Sequence, residues 1–83
     1  MTTITLYSTQ TCPYCVQAES LLKRKGLPYN KILVDQSQEE FLIMVNRSAR
    51  RSVPQIFIGE RHVGGFTDLL ALEQTGELGA WVG

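Results

Sequence analysis

The sequence predicts a single α/β domain in which a mixed four-stranded sheet is flanked by three helices. Two observations predict this fold class. Apolar residues occur at strand spacing in four segments and at helical spacing in three others, in the order β-α-β-α-β-β-α. The first strand, helix and strand favour parallel pairing through a right-handed crossover, whereas a hairpin near the end adds two antiparallel strands. We expect residues 1–83 to form one small domain.

The first strand and helix are predicted over residues 3–8 and 13–25. In the strand, apolar residues alternate with polar ones, and Pro13 suits the first position of the helix. Gly26 and the proline two residues later end the helix. Its core-facing side is expected to consist of Tyr14, Ala18, Leu21 and Leu22.

The remaining elements follow from apolar runs and capping residues. Residues 29–35 are predicted to form the second strand, and Ser37 with Glu40 forms the capping box of the second helix. The apolar face of that helix is expected to consist of Phe41, Leu42, Met44 and Val45. Two short strands, 55–58 and 61–64, are joined by a two-residue turn, and a last helix starts near Phe66 and ends at Gly76.

Composition and charge exclude several classes of protein. Hydrophobic residues make up 43% of the chain, which is enough for a core. Eight basic residues balance eight acidic ones, whereas a nucleic-acid-binding domain usually carries a basic excess. The sequence has no apolar run of about 18 residues and no N-terminal signal peptide. We therefore expect a cytoplasmic monomer that binds neither nucleic acid nor membrane.

Cys12 and Cys15 are the most informative residues in the sequence. A disulfide between them closes a four-residue loop and would contribute roughly 2 kcal/mol, so it is a poor structural staple. A closed zinc site needs four ligands, and His62 is the single histidine that could join the two cysteines. Two roles remain for the cysteine pair: reversible redox chemistry, or binding of a metal that is shared between chains.

The position of the two cysteines favours redox chemistry. Because Pro13 is predicted to be the first helical residue, Cys12 becomes the N-cap and its sulfur faces unpaired backbone N–H groups. We expect these donors to lower the pKa of the Cys12 thiol well below its usual value of about 8.5. Cys15 lies one turn further on the same side, is expected to be more buried, and is placed to resolve a mixed disulfide formed by Cys12. The rigid Pro13 stiffens this turn.

Two further segments are candidates for ligand binding. In Ser52-Val53-Pro54, a trans proline would make an ordinary turn, whereas a cis proline would free the Val53 backbone to pair with an extended peptide. The segment from Gly64 to Asp68 starts the last helix, where backbone N–H groups favour an anion. Asp68 either caps this helix only or also accepts from an ammonium group. His62 is interpreted as a surface residue of the hairpin.

The segments Cys-Pro-Tyr-Cys at 12–15, Ser-Val-Pro at 52–54 and Gly-Gly-Phe-Thr-Asp-Leu at 64–69 together resemble the dithiol glutaredoxins, particularly the short bacterial ones. The resemblance implies a thioredoxin-like fold, a cis Pro54, glutathione as the reductant, Cys12 as the nucleophile and Cys15 as the resolving thiol. It also implies a set of glutathione contacts. These fall on Tyr14, Val53, Pro54, Phe66, Thr67 and Asp68.

The sequence departs from the family pattern at two positions. Many members carry a lysine where this chain has Thr9, and some carry a basic or amide residue where it has Phe41. Both would hold the glycine carboxylate of glutathione, a role for which Gln10, Arg47 or Arg51 could substitute. The weaker candidates for the glutathione site are Thr9, Gln10, Pro13, Arg51 and Gly65.

The implied activity is glutathione-dependent thiol–disulfide exchange without a metal. Both cysteines would act on protein disulfides, and Cys12 alone on protein–glutathione mixed disulfides. Clients of the ribonucleotide reductase type are a family expectation. Two alternatives stay open: a redoxin reduced by a thioredoxin-type reductase, and a dimer that binds a [2Fe–2S] cluster through one cysteine and one glutathione per chain.

Overall fold

The computed structural model describes residues 2–83, and this part of the chain forms four strands and four helices. The elements are β1 (Ile4–Ser8), α1 (Pro13–Arg24), β2 (Tyr29–Leu33), α2 (Gln38–Ser48), β3 (Gln55–Ile58), β4 (Arg61–Gly64), α3 (Phe66–Thr75) and α4 (Glu77–Val82). No helix within residues 2–83 has both the length and the apolar character needed to cross a membrane.

The four strands form one mixed sheet in the order β2-β1-β3-β4. β1 pairs with β2 in parallel and with β3 antiparallel, and β3 pairs with β4 antiparallel. The β3–β4 hairpin turns through Gly59 and Glu60, where Gly59 takes a φ of +62°. The fold class predicted from the sequence is confirmed.

Both faces of the sheet are covered, because alternate residues of the central strands point to opposite sides. One face packs Ile4, Leu6, Ile56 and Ile58 against the helices α1, α3 and α4. The other face packs Tyr7 and Phe57 against α2, whose Met44 is completely buried. All four residues of β3 are therefore buried, including the polar Gln55.

In each of α1 and α2, one residue that was predicted to face the core is exposed to solvent. In α1 the buried positions are Cys15, Ala18, Leu21 and Leu22, whereas Tyr14 is exposed and was wrongly assigned to the core side. In α2 Leu42 is also exposed. Residues at spacings of three and four from Met44 point at the sheet, and Leu42 does not share that spacing.

The helix α4 was missed by the sequence analysis, which predicted three helices. It follows directly on Gly76, whose φ of +80° ends α3 and lets the chain reverse. With six residues and an internal glycine, α4 has little helical propensity of its own. It is stabilised by packing, since Leu78 and Val82 enter the core and the Arg61 guanidinium lies 3.6 Å from the Trp81 ring centre.

A hydrogen-bonded triad joins α1 to β2. The Tyr29 hydroxyl donates to Glu19 Oε1 at 2.7 Å, and Lys31 Nζ lies 2.9 Å from Glu19 Oε2. Burial raises the pKa of the Glu19 carboxyl, but the hydrogen bonds from Tyr29 and Lys31 and the positive charges of Lys31 and Lys23 outweigh it. The net result is a pKa below the usual value of 4.5.

We predict that Leu78→Ala lowers the free energy of unfolding by about 2–5 kcal/mol, because it opens a cavity where α4 meets the core. The exposed Leu42→Ala is the matched control and should cost less than about 1 kcal/mol. Urea unfolding of both variants measures the difference. Equal losses would contradict the packing role assigned to α4.

We predict that Glu19→Gln reduces the pH dependence of stability on the acid side. A carboxyl with a lowered pKa in the folded state stabilises the fold above the unfolded value of 4.5, and this contribution is lost as the pH falls through the folded pKa. Unfolding free energies measured between about pH 7 and pH 3 should fall less steeply in the variant. Glu60→Gln, at an exposed hairpin position, is the control and should keep the wild-type slope.

Candidate active site

The two cysteine sulfurs form a disulfide at the start of α1. Cys12 is the N-cap in an extended conformation, Pro13 is the first helical residue, and the Cys15 backbone N–H donates to Cys12 Sγ at 3.2 Å. Cys15 is 1% exposed, whereas Cys12 is partly accessible. The N-cap position and the unequal exposure of the two sulfurs agree with the sequence analysis.

The segment before β3 faces the disulfide. Cys12 Sγ lies 3.9 Å from the Val53 carbonyl oxygen. The Val53–Pro54 peptide bond is cis, so the structure selects one of the two isomers that the sequence left open. Pro54 is buried, and Val53 is partly buried against the face that packs on α2.

The start of α3 forms the other side of the site. Asp68 Oδ2 accepts a hydrogen bond of 2.9 Å from the Gly65 backbone N–H, so Asp68 caps this helix. The same oxygen lies 3.5 Å from Arg50 Nη1, with both side chains about half exposed. Asp68 therefore already acts both as a cap and as the partner of a cation.

A cavity of about 200 Å³ connects these segments. Its lining includes all six residues that the family resemblance implied as glutathione contacts, together with Gly65. The rings of Tyr14 and Phe66 stack with centroids 6.3 Å apart and form one wall. A cavity of about 260 Å³ beside Thr2–Ile4 is larger, but it lies at the opposite end of β1 from the cysteines.

The structure brings to the cavity three residues that were not among the predicted glutathione contacts: Arg50, Ser52 and Gln55. The weaker candidates Thr9, Gln10, Pro13 and Arg51 lie outside the lining residues. The two arginines that directly precede Ser52 in the sequence could have indicated a basic side chain at the site. Arg47, Arg50 and Arg51 form a cluster of arginines at the end of α2, and the sequence could not show which of them turns toward the site.

The two other arginines of this cluster are engaged elsewhere. Arg47 donates to the Tyr7 hydroxyl at 2.9 Å and to the Gly59 carbonyl at 3.3 Å. Arg51 lies over the Phe41 ring at 5.4 Å. These contacts leave Arg50 as the arginine that lines the cavity.

His62 was wrongly interpreted as a surface residue. It is partly buried, its ring stacks on Phe57 at 4.8 Å, and its Nε2 lies 2.7 Å from Gln55 Oε1. Within residues 2–83 no group of three or more histidine, cysteine or acidic side chains is arranged to hold a metal ion.

Comparisons with known proteins agree on one family. A family model described as glutaredoxin matches residues 4–63. The chain is 53% identical over 79 residues to a glutaredoxin of Neisseria meningitidis, covering 94% of this chain and 93% of that protein. It is 41% identical over 78 residues to glutaredoxin 3 of Escherichia coli, covering 94% of each chain.

Solved structures extend the similarity to the fold. The solution structure of a Brucella melitensis glutaredoxin matches with a TM-score of 0.87 at 44% identity, covering 99% of this chain and 89% of that one. A crystal structure of a buckwheat glutaredoxin–glutathione complex matches with a TM-score of 0.86 at 27% identity, covering 95% of this chain and 74% of that one.

The two glycines before α3 differ in how replaceable they are. Gly64 has a φ of +121°, and a Cβ there would collide with the Asp68 carboxylate. Gly65 has an ordinary φ of −89°, and a Cβ would meet the Pro54 carbonyl oxygen at 3.6 Å, a normal contact. Only Gly64 therefore needs the conformational freedom of a glycine.

We predict that Gly64→Ala destabilises the protein by about 1–3 kcal/mol through backbone strain, with a further loss when the Asp68 cap is displaced. Gly65→Ala is the matched control and should cost within about 1 kcal/mol. Urea unfolding measures both. A Gly65 variant that loses as much as the Gly64 variant would contradict this interpretation.

Proposed function

This chain belongs to the glutaredoxin family, and we propose that it is a glutathione-dependent thiol–disulfide oxidoreductase. It reduces protein disulfides through both cysteines and protein–glutathione mixed disulfides through Cys12 alone. The observation that carries the proposal is the disulfide at the start of α1, because the partly accessible Cys12 Sγ lies 3.9 Å from the carbonyl oxygen of Val53, a residue that lines the cavity.

The proposed cycle needs one accessible and one protected sulfur. The Cys12 thiolate attacks a client disulfide, forming a mixed disulfide and releasing one client thiol. Cys15 then loses its proton and attacks Cys12, which releases the second client thiol and forms the Cys12–Cys15 disulfide. The burial of Cys15 supports this order, because an exposed disulfide can reach Cys12 but not Cys15.

Glutathione returns the site to the dithiol state. One glutathione thiolate attacks Cys12 and releases the Cys15 thiol, and a second attacks the glutathione sulfur of the mixed disulfide. The products are glutathione disulfide and the Cys12 thiolate. The Cys15 N–H and the start of α1 favour this leaving group, because both stabilise negative charge on Cys12 Sγ.

The cavity supports glutathione as the peptide ligand. In our proposal the peptide pairs with the Val53 backbone, the γ-glutamyl carboxylate lies at the backbone N–H groups of Thr67 and Asp68, and the ammonium lies at the Asp68 carboxylate. The helix start and its acidic cap match these charges. The buckwheat relative of similar fold was crystallised with glutathione.

Arg50 supplies a positive charge that the sequence lacks at Thr9 and Phe41. It lines the cavity and, in the proposal, attracts a carboxylate of the ligand.

We place the activity in the cytoplasm, in a monomer with one domain over residues 1–83. The clients are proteins with accessible disulfides.

We predict that Cys12→Ser abolishes turnover of both a protein disulfide and a glutathione mixed disulfide, because it removes the attacking sulfur. Cys15→Ser should abolish the first activity and retain the second, since it removes only the resolving thiol. The assay follows NADPH consumption with glutathione and glutathione reductase. Activity in the Cys12 variant would contradict the assignment.

The same assay distinguishes glutathione, the proposed reductant, from the alternative, a thioredoxin-type reductase. Wild-type turnover should depend on glutathione and glutathione reductase. Turnover supported by a thioredoxin-type reductase without glutathione would contradict the proposal and favour the alternative redoxin.

A further inference from the structure

Three polar residues form a hydrogen-bonded relay that starts outside the cavity, at His62, and reaches its lining at Gln55 and Ser52. His62 Nε2 lies 2.7 Å from Gln55 Oε1, and Gln55 Nε2 donates to the Ser52 carbonyl at 3.0 Å. The Gln55 amide nitrogen also lies 3.4 Å from Ser52 Oγ. The relay therefore runs from β4 through the completely buried Gln55 to the residue that precedes Val53.

The direction of these hydrogen bonds is determined by chemistry. The Ser52 carbonyl can only accept, so the amide nitrogen of Gln55 must face it and the amide oxygen must face His62. Because that oxygen can also only accept, His62 Nε2 must carry a proton. The relay works with the neutral Nε2–H tautomer and fails with the Nδ1–H tautomer.

The surroundings keep the His62 ring neutral and fixed. Burial lowers the pKa of His62, the positive charges of Arg50 and Arg47 lower it further, and Asp68 opposes them. Arg50 lies in the segment after α2, Arg47 in α2 itself and Asp68 in α3. The imidazole ring stacks on the Phe57 ring, with the ring centroids 4.8 Å apart and an angle of 30° between the planes.

We infer that His62 is a positioning residue for the peptide-binding backbone of the site. By donating from Nε2 it fixes the Gln55 amide, which holds the Ser52 carbonyl and thereby the Val53 backbone opposite Cys12. This inference rests on the proposed function, since it assigns His62 a part in presenting Val53 to a peptide disulfide. His62 itself lies outside the lining of the cavity.

Loss of the donor leaves a buried oxygen without its partner, and the amide is then free to turn. A displaced Val53 backbone weakens every state in which the peptide is bound. We therefore expect KM for a glutathionylated peptide to rise about five-fold with kcat changed by less than about two-fold. A purely structural role would lower the melting temperature without this split.

Two variants separate the hydrogen bond from the stacking. His62→Phe keeps an aromatic ring against Phe57 but has no donor, and it should raise KM. His62→Gln has an amide donor but no ring, and it should restore KM toward the wild-type value. Wild-type KM in the Phe variant, or an equal rise in both variants, would overturn the inference.

A measurement on the unmodified protein keeps the test independent of folding defects. Two-dimensional ¹H–¹⁵N spectra of the histidine ring should show the Nε2–H tautomer at neutral pH, and the Gln55 side-chain amide protons should exchange slowly. The Nδ1–H tautomer would overturn the inference.

The control variant Glu60→Gln, on the same hairpin, should match the wild type in KM. Absence of glutathione-dependent turnover in the wild type would refute the proposed function. An active wild type with an unaffected Phe variant would refute only the role of His62.

Discussion

The antiparallel register between β1 and β3 places Tyr7 opposite Gln55, and the rest of the site depends on this pairing. Because β1 ends where β3 begins, the cysteine turn after β1 emerges beside the Ser52–Pro54 segment before β3. The pairing of Ile56 with Gly64 then brings the start of α3 to the same edge. Three segments distant in sequence thus meet at one end of the sheet, where their backbone donors and acceptors are not used in pairing strands.

This arrangement explains why a glutamine is buried at the end of the sheet that carries the site. Gln55 occupies the first position of a fully buried strand, where an unpaired amide would cost about 1–3 kcal/mol. Ser52 and His62 satisfy it, and within residues 2–83 no buried side-chain polar atom lacks a hydrogen-bond partner. The ring of Phe57 contacts both His62 and Arg47. The end of the sheet that carries the site is therefore held by directional bonds rather than by apolar packing alone.

Local signals in the sequence were sufficient for the parts of the structure that depend on local chemistry. The Cys12 N-cap followed by Pro13, the two-residue hairpin and the start of α3 all follow from residues within one turn of one another. The errors concern features that tertiary contacts decide. The helix α4 forms because Leu78 and Val82 fill the core.

The choice among the three arginines is another such feature. Ala49 ends α2 in the left-handed region at a φ of +60°, which redirects the chain immediately before Arg50. No periodicity in the sequence predicts this change, since alanine seldom takes that conformation. The same turn leaves Arg47 on the helix, bound to Tyr7, and lets Arg50 reach Asp68. An exposed ion pair of this kind contributes at most about 1 kcal/mol, so the ligand ammonium proposed to bind Asp68 would lose little by displacing Arg50. In the proposed binding mode, the affinity for the ligand would come mainly from the Val53 backbone, the N–H groups at the start of α3 and the wall of Tyr14 and Phe66.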